Sequence, residues 1–288
     1  MNIGILASGG DGAGMNYCLY HLCKNLKGHN LFLFNGGYSG LIDNNTVSYD
    51  LKFLQKHKND GGIVIKTSRC PEFETKEGIK KALDTINKNN IQVVIVMGGN
   101  GSLQGAKELR KNNVDVLFIP CSIDNDIVAS EYSIGFDSAC ARCVEYINTV
   151  SDTMKSFNRT CIYEVMGRHC DKIAKQVAKA VCADYLYIQK NQTFEDCLQK
   201  VKQSNQTSPI VVVQENLIDI KQLKEYFLQN GTDSRACVIG HYQRGGNPTK
   251  LEKCNANKLA TYCANLVKHH IFNQEIIIKD NVATSVEI

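Results

Sequence analysis

"VMGGNGSLQGA" runs from Val96 to Ala106. An apolar stretch ends in glycines that flank Asn100, and a helix-like stretch follows. A strand that breaks at glycines and resumes as a helix brings backbone N–H groups and the positive end of a helix to one spot, which suits a phosphate. The polar residue there is an amide, where phosphate chemistry with magnesium usually has a carboxylate. Whether this is one turn of a larger design depends on how often the unit recurs.

It recurs throughout. "NIGILA" (2–7) reads as a buried strand, followed by a glycine turn and a helix from about Met15. "LFLF", "IQVVIVM", "VDVLFIP", "TCIYEVM", "DYLYI", "PIVVVQ" and "RACVIGH" read as strands. Between them, "KEGIKKALDTINKN", "LQGAKELRKN", "KIAKQVAKAVC", "FEDCLQKVKQS" and "IKQLKEYFLQN" read as helices, and another covers "KCNANKLATYCANLVKH". Strict alternation of this kind predicts an α/β protein with largely parallel sheets. A long helical stretch from Ile134 to about Thr153 is expected to carry the chain from one such unit to the next.

The chain has 288 residues, 43% of them hydrophobic and 22% charged, which is ordinary globular composition. Its formal net charge of +4 comes from scattered rather than clustered lysines, which gives little support to nucleic-acid or membrane binding. Thirteen cysteines are an odd number in a chain with no basic, apolar leader, so thiols in a reducing cytoplasm are expected rather than disulfides. The one C-x-x-C, Cys140 to Cys143, lacks the second pair that a four-cysteine zinc site needs. No apolar run approaches the about 20 residues that span a bilayer.

In doubly wound sheets, ligands sit at the carboxyl ends of strands. The segments at those positions are "SGGDGAGMN", "GGNGS", "CSIDND", "MGRHC", "QEN" and "GHYQRGG". Gly10, Gly12 and Gly14 are evenly spaced, which breaks the G-x-G-x-x-G dinucleotide fingerprint, and without a Gly-Lys dipeptide there is no Walker A loop. Asp124 and Asp126 in "IDND" can divide labour, one accepting a hydroxyl proton and the other serving magnesium, although an Asp-rich turn bonding its own backbone looks the same. Arg168, Arg244 and His241 can hold a phosphate, and Glu215 can accept sugar hydroxyls; each is equally at home as an ordinary exposed strand-end residue.

Taken together, "PCSIDNDI", "EVMGR" and "GHYQRGG" closely resemble the 6-phosphofructokinase family, in its short, ATP-dependent bacterial form. The resemblance implies two doubly wound, three-layer α/β domains with the active site in the cleft between them. Residues 1–135 plus 243–288 would be the nucleotide-binding domain and 136–242 the sugar-phosphate-binding domain. It implies a cytoplasmic glycolytic kinase that uses Mg²⁺ to move the ATP γ-phosphoryl group to the 1-hydroxyl of fructose 6-phosphate. By carry-over, Asp124, Arg168 and Ser122 are catalytic, and Asn100 and Asp126 form the metal region. Gly10, Arg69, Cys70, Gly101, Ser102 and Gly105 match nucleotide positions. Ser122, Asp124, Met166, Gly167, Arg168, Glu215, His241 and Arg244 match sugar-phosphate positions. Arg159 and Arg235 match arginines that reach a neighbouring subunit's site, which implies a homo-oligomer, a tetramer in this family.

The departures gather on the nucleotide side. Asn100 replaces an aspartate, Cys70 an aromatic residue, and Glu74 a basic one. A non-catalytic sugar-phosphate-binding subunit and a pyrophosphate-dependent enzyme are the alternatives. Against pyrophosphate stand Gly101 and Cys121, where such relatives commonly have Asp and Lys. Tyr20, Lys24 and Leu51 replace the arginines of the bacterial effector site.

Overall fold

A computed structural model describes the whole chain, Met1–Ile288. It divides into two compact units, Met1–Ser138 with Arg244–Ile288, and Ala139–Gln243.

The first unit is built on a seven-stranded sheet. Its elements begin with β1 (Asn2–Ser8), α1 (Met15–Asn25), β2 (Asn30–Phe34), α2 (Tyr38–Ile42), β3 (Thr46–Val47) and α3 (Leu51–His57). They continue with α4 (Lys76–Lys88), β4 (Val93–Gly98), α5 (Asn100–Lys111) and β5 (Val116–Pro120). The chain then runs through α6 (Phe136–Lys155) into the second unit. That unit contains β6 (Thr160–Val165), α7 (Lys172–Ala180), β7 (Tyr185–Tyr187), α8 (Phe194–Lys202), β8 (Ile210–Gln214), α9 (Ile220–Gln229) and β9 (Ser234–Val238). The return to the first unit adds α10 (Lys250–Lys268), β10 (Gln274–Lys279) and β11 (Val282–Glu287).

The strand order of the first sheet is β11-β10-β5-β4-β1-β2-β3. Its inner pairs are parallel, and β3 and β11 close the two edges antiparallel. Apolar residues fill both faces, as a sheet covered on both sides requires. Ile3, Ile5, Ile95 and Ile119 pack on one side with Leu19 of α1 and Leu259 of α10. Leu6, Val94, Val96 and Phe118 pack on the other with Leu41, Ala82 and Leu109. The helices start where polar caps allow. Asp50, Thr75 and Thr249 each accept a backbone N–H at a helix start, an interaction that contributes about 1 kcal/mol per cap.

The second sheet has four parallel strands in the order β7-β8-β6-β9. Ile162, Val211 and Val213 pack on α8 and α9 through Leu198, Leu223 and Phe227. Tyr163 is wholly buried, its hydroxyl 2.9 Å from Ser151 of α6. The strands and helices read from the sequence appear; α2, β3 and α3 were not read from it, and three further differences stand out. The helix expected at Leu103 already starts at Asn100. The long helix expected from Ile134 runs from Phe136 to Lys155. The hairpin β10–β11, unread in the sequence, completes the first sheet.

Candidate active site

β1 lies between β2 and β4, so the chain leaves β1 to one side and later returns on the other. This switch point opens a crevice at the carboxyl ends of β1 and β4. The "SGGDGAG" and "GGNGS" turns lie there. The first i→i−4 bond of α5 runs from Leu103 N to Gly99 O at 3.0 Å. The N–H groups of Asn100, Gly101 and Ser102 therefore form the helix's unpaired first turn, a donor set suited to an anion.

The glycines here have separable reasons. At Gly10, a Cβ would lie 2.0 Å from Nη2 of Arg244. At Gly105, it would lie 2.5 Å from the ring of Tyr38, whose hydroxyl donates to Ser102 O at 2.8 Å. Gly101 is different, because nothing lies within 4 Å of its Cβ position. Ser102 is buried, and its hydroxyl donates to Ser8 O at 2.9 Å, tying the β1 turn to the β4 turn. Thus Gly105 and the Ser102 hydroxyl, both expected to meet nucleotide, are occupied by packing and by a backbone bond. Arg69 is exposed, and Cys70 packs at the edge of the apolar cluster around Phe73.

"CSIDND" follows β5. Asn125, which the sequence reading passed over, holds this turn. It is buried in the left-handed region (φ 52°), accepts from Ser133 N at 2.7 Å and donates to Glu131 O at 3.0 Å. Asparagine tolerates that conformation better than most residues. Asp124 and Asp126 flank it, both half-buried. Asp126 is fixed from two sides: Ser122 Oγ donates to its Oδ1 at 2.8 Å, and Asn100 Nδ2 donates to its Oδ2 at 2.8 Å. The structure therefore gathers Asn100, Ser122 and Asp126, and Asp124 shares their turn. The oxygen-rich set fits a magnesium ion held by one or two carboxylates with substrate phosphates and water. No cluster of three or more His, Cys, Asp or Glu is present, and that mode of binding needs none.

Arg244 belongs to this unit as well. Its Nε and Nη2 donate to Asp11 O at 3.2 and 3.0 Å, and Nε lies 3.3 Å from Asp11 Oδ1. Asp11 was not among the expected site residues. Deeper, Glu252 is wholly buried and accepts four bonds, from the Tyr132 hydroxyl, Gly135 N, Ser138 N and Ser138 Oγ, at 2.7 to 3.1 Å. Burial pushes its carboxyl up to about 7, against the pull of those donors.

In the second unit, the carboxyl ends of three adjacent strands carry the expected residues: Met166, Gly167 and Arg168 after β6, Glu215 after β8, and His241 after β9. Glu215 Oε1 accepts from Gly167 N at 3.1 Å and Arg168 N at 2.9 Å. Gln214 Nε2 donates to Arg168 O at 3.1 Å, and Gln243 Oε1 accepts from Met166 N at 3.1 Å. These bonds hold Arg168 at φ 47° with its side chain exposed. Glu164 of β6, also unforeseen, has its carboxyl raised by burial and then by the charges of Glu215 and Asp219.

Arg159 and Arg235 stand elsewhere. Arg159 precedes β6, and Arg235 is the second residue of β9. They share Asp233, with Arg159 Nε at 2.6 Å from Oδ2 and Arg235 Nη1 at 3.0 Å from Oδ1. This is the amino end of the sheet. With six residues in β6, it lies about 20 Å from the end that bears Arg168. Within one copy the two sets are not brought together.

A family model described as "Phosphofructokinase" matches residues 2–267. An ATP-dependent 6-phosphofructokinase of Spiroplasma citri is 40% identical over 268 residues, covering 90% of this chain and 82% of its own length. One from Lactobacillus acidophilus is 35% identical over 272 residues, covering 92% and 85%. Among solved structures, a phosphofructokinase of Pichia pastoris in the T-state has a TM-score of 0.92 at 26% identity, over 99% of this chain. This chain spans 34% of that longer one. A pyrophosphate-dependent phosphofructokinase of Marinobacter aquaeolei, at 14% identity and a TM-score of 0.83, shares the fold.

Proposed function

The chain belongs to the phosphofructokinase family, and from that premise we propose how its residues divide the reaction. The protein transfers the γ-phosphoryl group of ATP to the 1-hydroxyl of fructose 6-phosphate and gives fructose 1,6-bisphosphate, a step of glycolysis. The observation that carries the reading is the pair Asp124 and Asp126 on one pinned turn beside the open first turn of α5. One carboxylate meets the acceptor hydroxyl, and the other stands at the phosphates.

Phosphoryl transfer needs chiefly positioning and neutralised charge. Asp124 takes the proton of the attacking hydroxyl. The first-turn N–H groups of α5 hold nucleotide phosphate, and the bare edge of Gly101 leaves it room. Asp126, oriented by Ser122 and Asn100, would hold Mg²⁺, which when bound neutralises charge on the phosphate chain. Gly10 and Arg69 complete the nucleotide side. In the second unit, Arg168 balances charge on the group in transfer. Met166, Glu215 and His241 bind the sugar phosphate; Arg244 of the first unit, with donors that Asp11 leaves unused, is assigned to the same ligand class. Thirteen free thiols suit a reducing compartment, and the cytoplasm is the proposed setting.

Arg159 and Arg235 are proposed to serve another copy. Their place at the far end of the sheet from Arg168 supports a homo-oligomer, a tetramer as in the family, with shared sites.

The test offers the purified chain fructose 6-phosphate and Mg²⁺ with ATP or with pyrophosphate and measures fructose 1,6-bisphosphate. Product with ATP alone is expected. Product only with pyrophosphate, or none with either, would overturn the reading.

A further inference from the structure

Cys161 and Cys237 lie on neighbouring parallel strands of the second unit with their Sγ atoms 3.9 Å apart. In the register of β6 and β9, Cys161 pairs with Arg235 and Cys237 with Tyr163. The two cysteines are thus offset by one diagonal step and share a face of the sheet. Cys161 is wholly buried, whereas Cys237 is half-buried near the exposed Val238 and Tyr242. The Cys161 thiol hydrogen-bonds to Cys237, and Tyr146 of α6 lies beside it. The Cys161 contact, ahead of Tyr146, holds the Cys237 thiol below its ordinary range, against burial, and Cys161 rises correspondingly. One sulfur is therefore reachable and inclined to ionise, and the other is a protonated thiol beside it.

We propose that Cys161 and Cys237 form a peroxide-responsive thiol–disulfide pair that cross-links β6 to β9. The Cys237 thiolate attacks one oxygen of a hydroperoxide. The O–O bond breaks, a proton goes to the departing oxygen, and Cys237 becomes a sulfenic acid. Cys161 then attacks that sulfur. An S–S bond replaces S–O, and the hydroxyl leaves with the Cys161 proton as water. Two thiols have given two electrons to one peroxide, and a dithiol reverses the step by exchange.

Forming the bond draws the sulfurs from 3.9 Å to about 2.05 Å, a movement taken up by the two strands. β9 carries Arg235 and runs on to His241, and β6 runs on to Arg168. Loss of activity on cross-linking rests on the roles proposed above for those residues; the cross-link itself does not.

The sequence makes the test direct. Trypsin releases Thr160–Arg168 and Ala236–Arg244, each with a single cysteine. The full chain is treated with hydrogen peroxide, its remaining thiols are alkylated, and the peptides are weighed. The expected product is these two peptides joined, lighter by two hydrogens than their sum and separated by dithiothreitol. In Cys161→Ala, Cys237 is expected to be trapped by dimedone as a sulfenic acid. In Cys237→Ala, Cys161 is expected to stay alkylatable, with circular dichroism confirming that both variants fold. If both peptides carry alkylated cysteine while the exposed Cys182 and Cys254 are oxidised, the proposal is overturned. A parallel assay with fructose 6-phosphate separates the two parts. Activity falling in step with the cross-linked fraction supports the coupling to the site, and full activity in cross-linked protein overturns that coupling alone.

Discussion

The side-chain amide of Asn100 donates to the Asp126 carboxylate at 2.8 Å, on the oxygen opposite the one that Ser122 holds. The amide therefore orients an acidic residue that a carboxylate in its place would repel. Asn100→Asp exchanges this bond for a second negative charge, an arrangement that favours a divalent cation. Half-maximal activity is expected at a few-fold lower Mg²⁺ concentration, on the order of 1 kcal/mol. In EDTA the variant is expected to melt below the parent and to recover on adding Mg²⁺. Superimposable magnesium titrations of the two proteins would refute this account.

Gly101 is a glycine of the turn for which packing gives no reason, since its Cβ position is open. It lies inside α5, where alanine is favoured over glycine by up to about 1 kcal/mol. Gly101→Ala is expected to leave the melting temperature unchanged or slightly raised while increasing the KM for ATP and sparing that for fructose 6-phosphate. A variant that melts markedly earlier would show that the position serves the fold.

Asp124→Asn is expected to lower kcat by roughly 10² to 10⁴, the usual range for a lost general base, with little change in melting temperature. Mixed with Arg235→Ala after dissociation and reassembly, it tests the shared site. Hybrids pair one copy's intact Asp124 with the other's intact Arg235, and partial recovery of activity is expected. Proven hybrids without recovery would rule out service between copies.

Glu252 makes stability depend on pH. Its carboxyl is pushed from 4.5 to about 7, so the folded chain holds this proton more tightly than the unfolded one. The resulting stability is fully present below about 4.5 and is lost as pH rises to about 7, roughly 3 kcal/mol in all. Glu252→Gln has no proton to lose. It also turns one donor toward Ser138, so it is less stable than the parent at pH 5 by an amount that shrinks toward pH 8. Urea midpoints for both proteins across that range check this, and a constant gap between them would contradict it.

The fold was legible where elements follow a period. The apolar runs at Ile3–Ala7 and Val93–Met97, each followed within two residues by glycine, announced the parallel core strands and the crevice above them. β10 and β11 were missed although their signal was present: Asp280 and Asn281, both at positive φ, form the two-residue turn of a hairpin beside Ile276–Ile278. The site was legible as a set of turns but not as bonds. Which side chains face each other across turns far apart in sequence depends on strand register. Nothing local could therefore announce that the Ser102 hydroxyl is spent on Ser8, that Glu215 holds the backbone of Arg168, or that Asp11 holds Arg244. Burial decides Glu164 and Glu252 in the same way, and both read locally as ordinary surface acids.

The insertion of the second unit between Ser138 and Arg244 sets an order of events at the ribosome. All residues of that unit are present once Gln243 has emerged. The first unit at that moment still lacks α10, whose Leu259, Ala260 and Cys263 cover the sheet face of Ile3, Ile5 and Ile95. At ordinary elongation rates the missing segment takes a few seconds to arrive. For that interval the older half of the chain waits with an apolar face uncovered, and chaperones that shield such faces have their opening then.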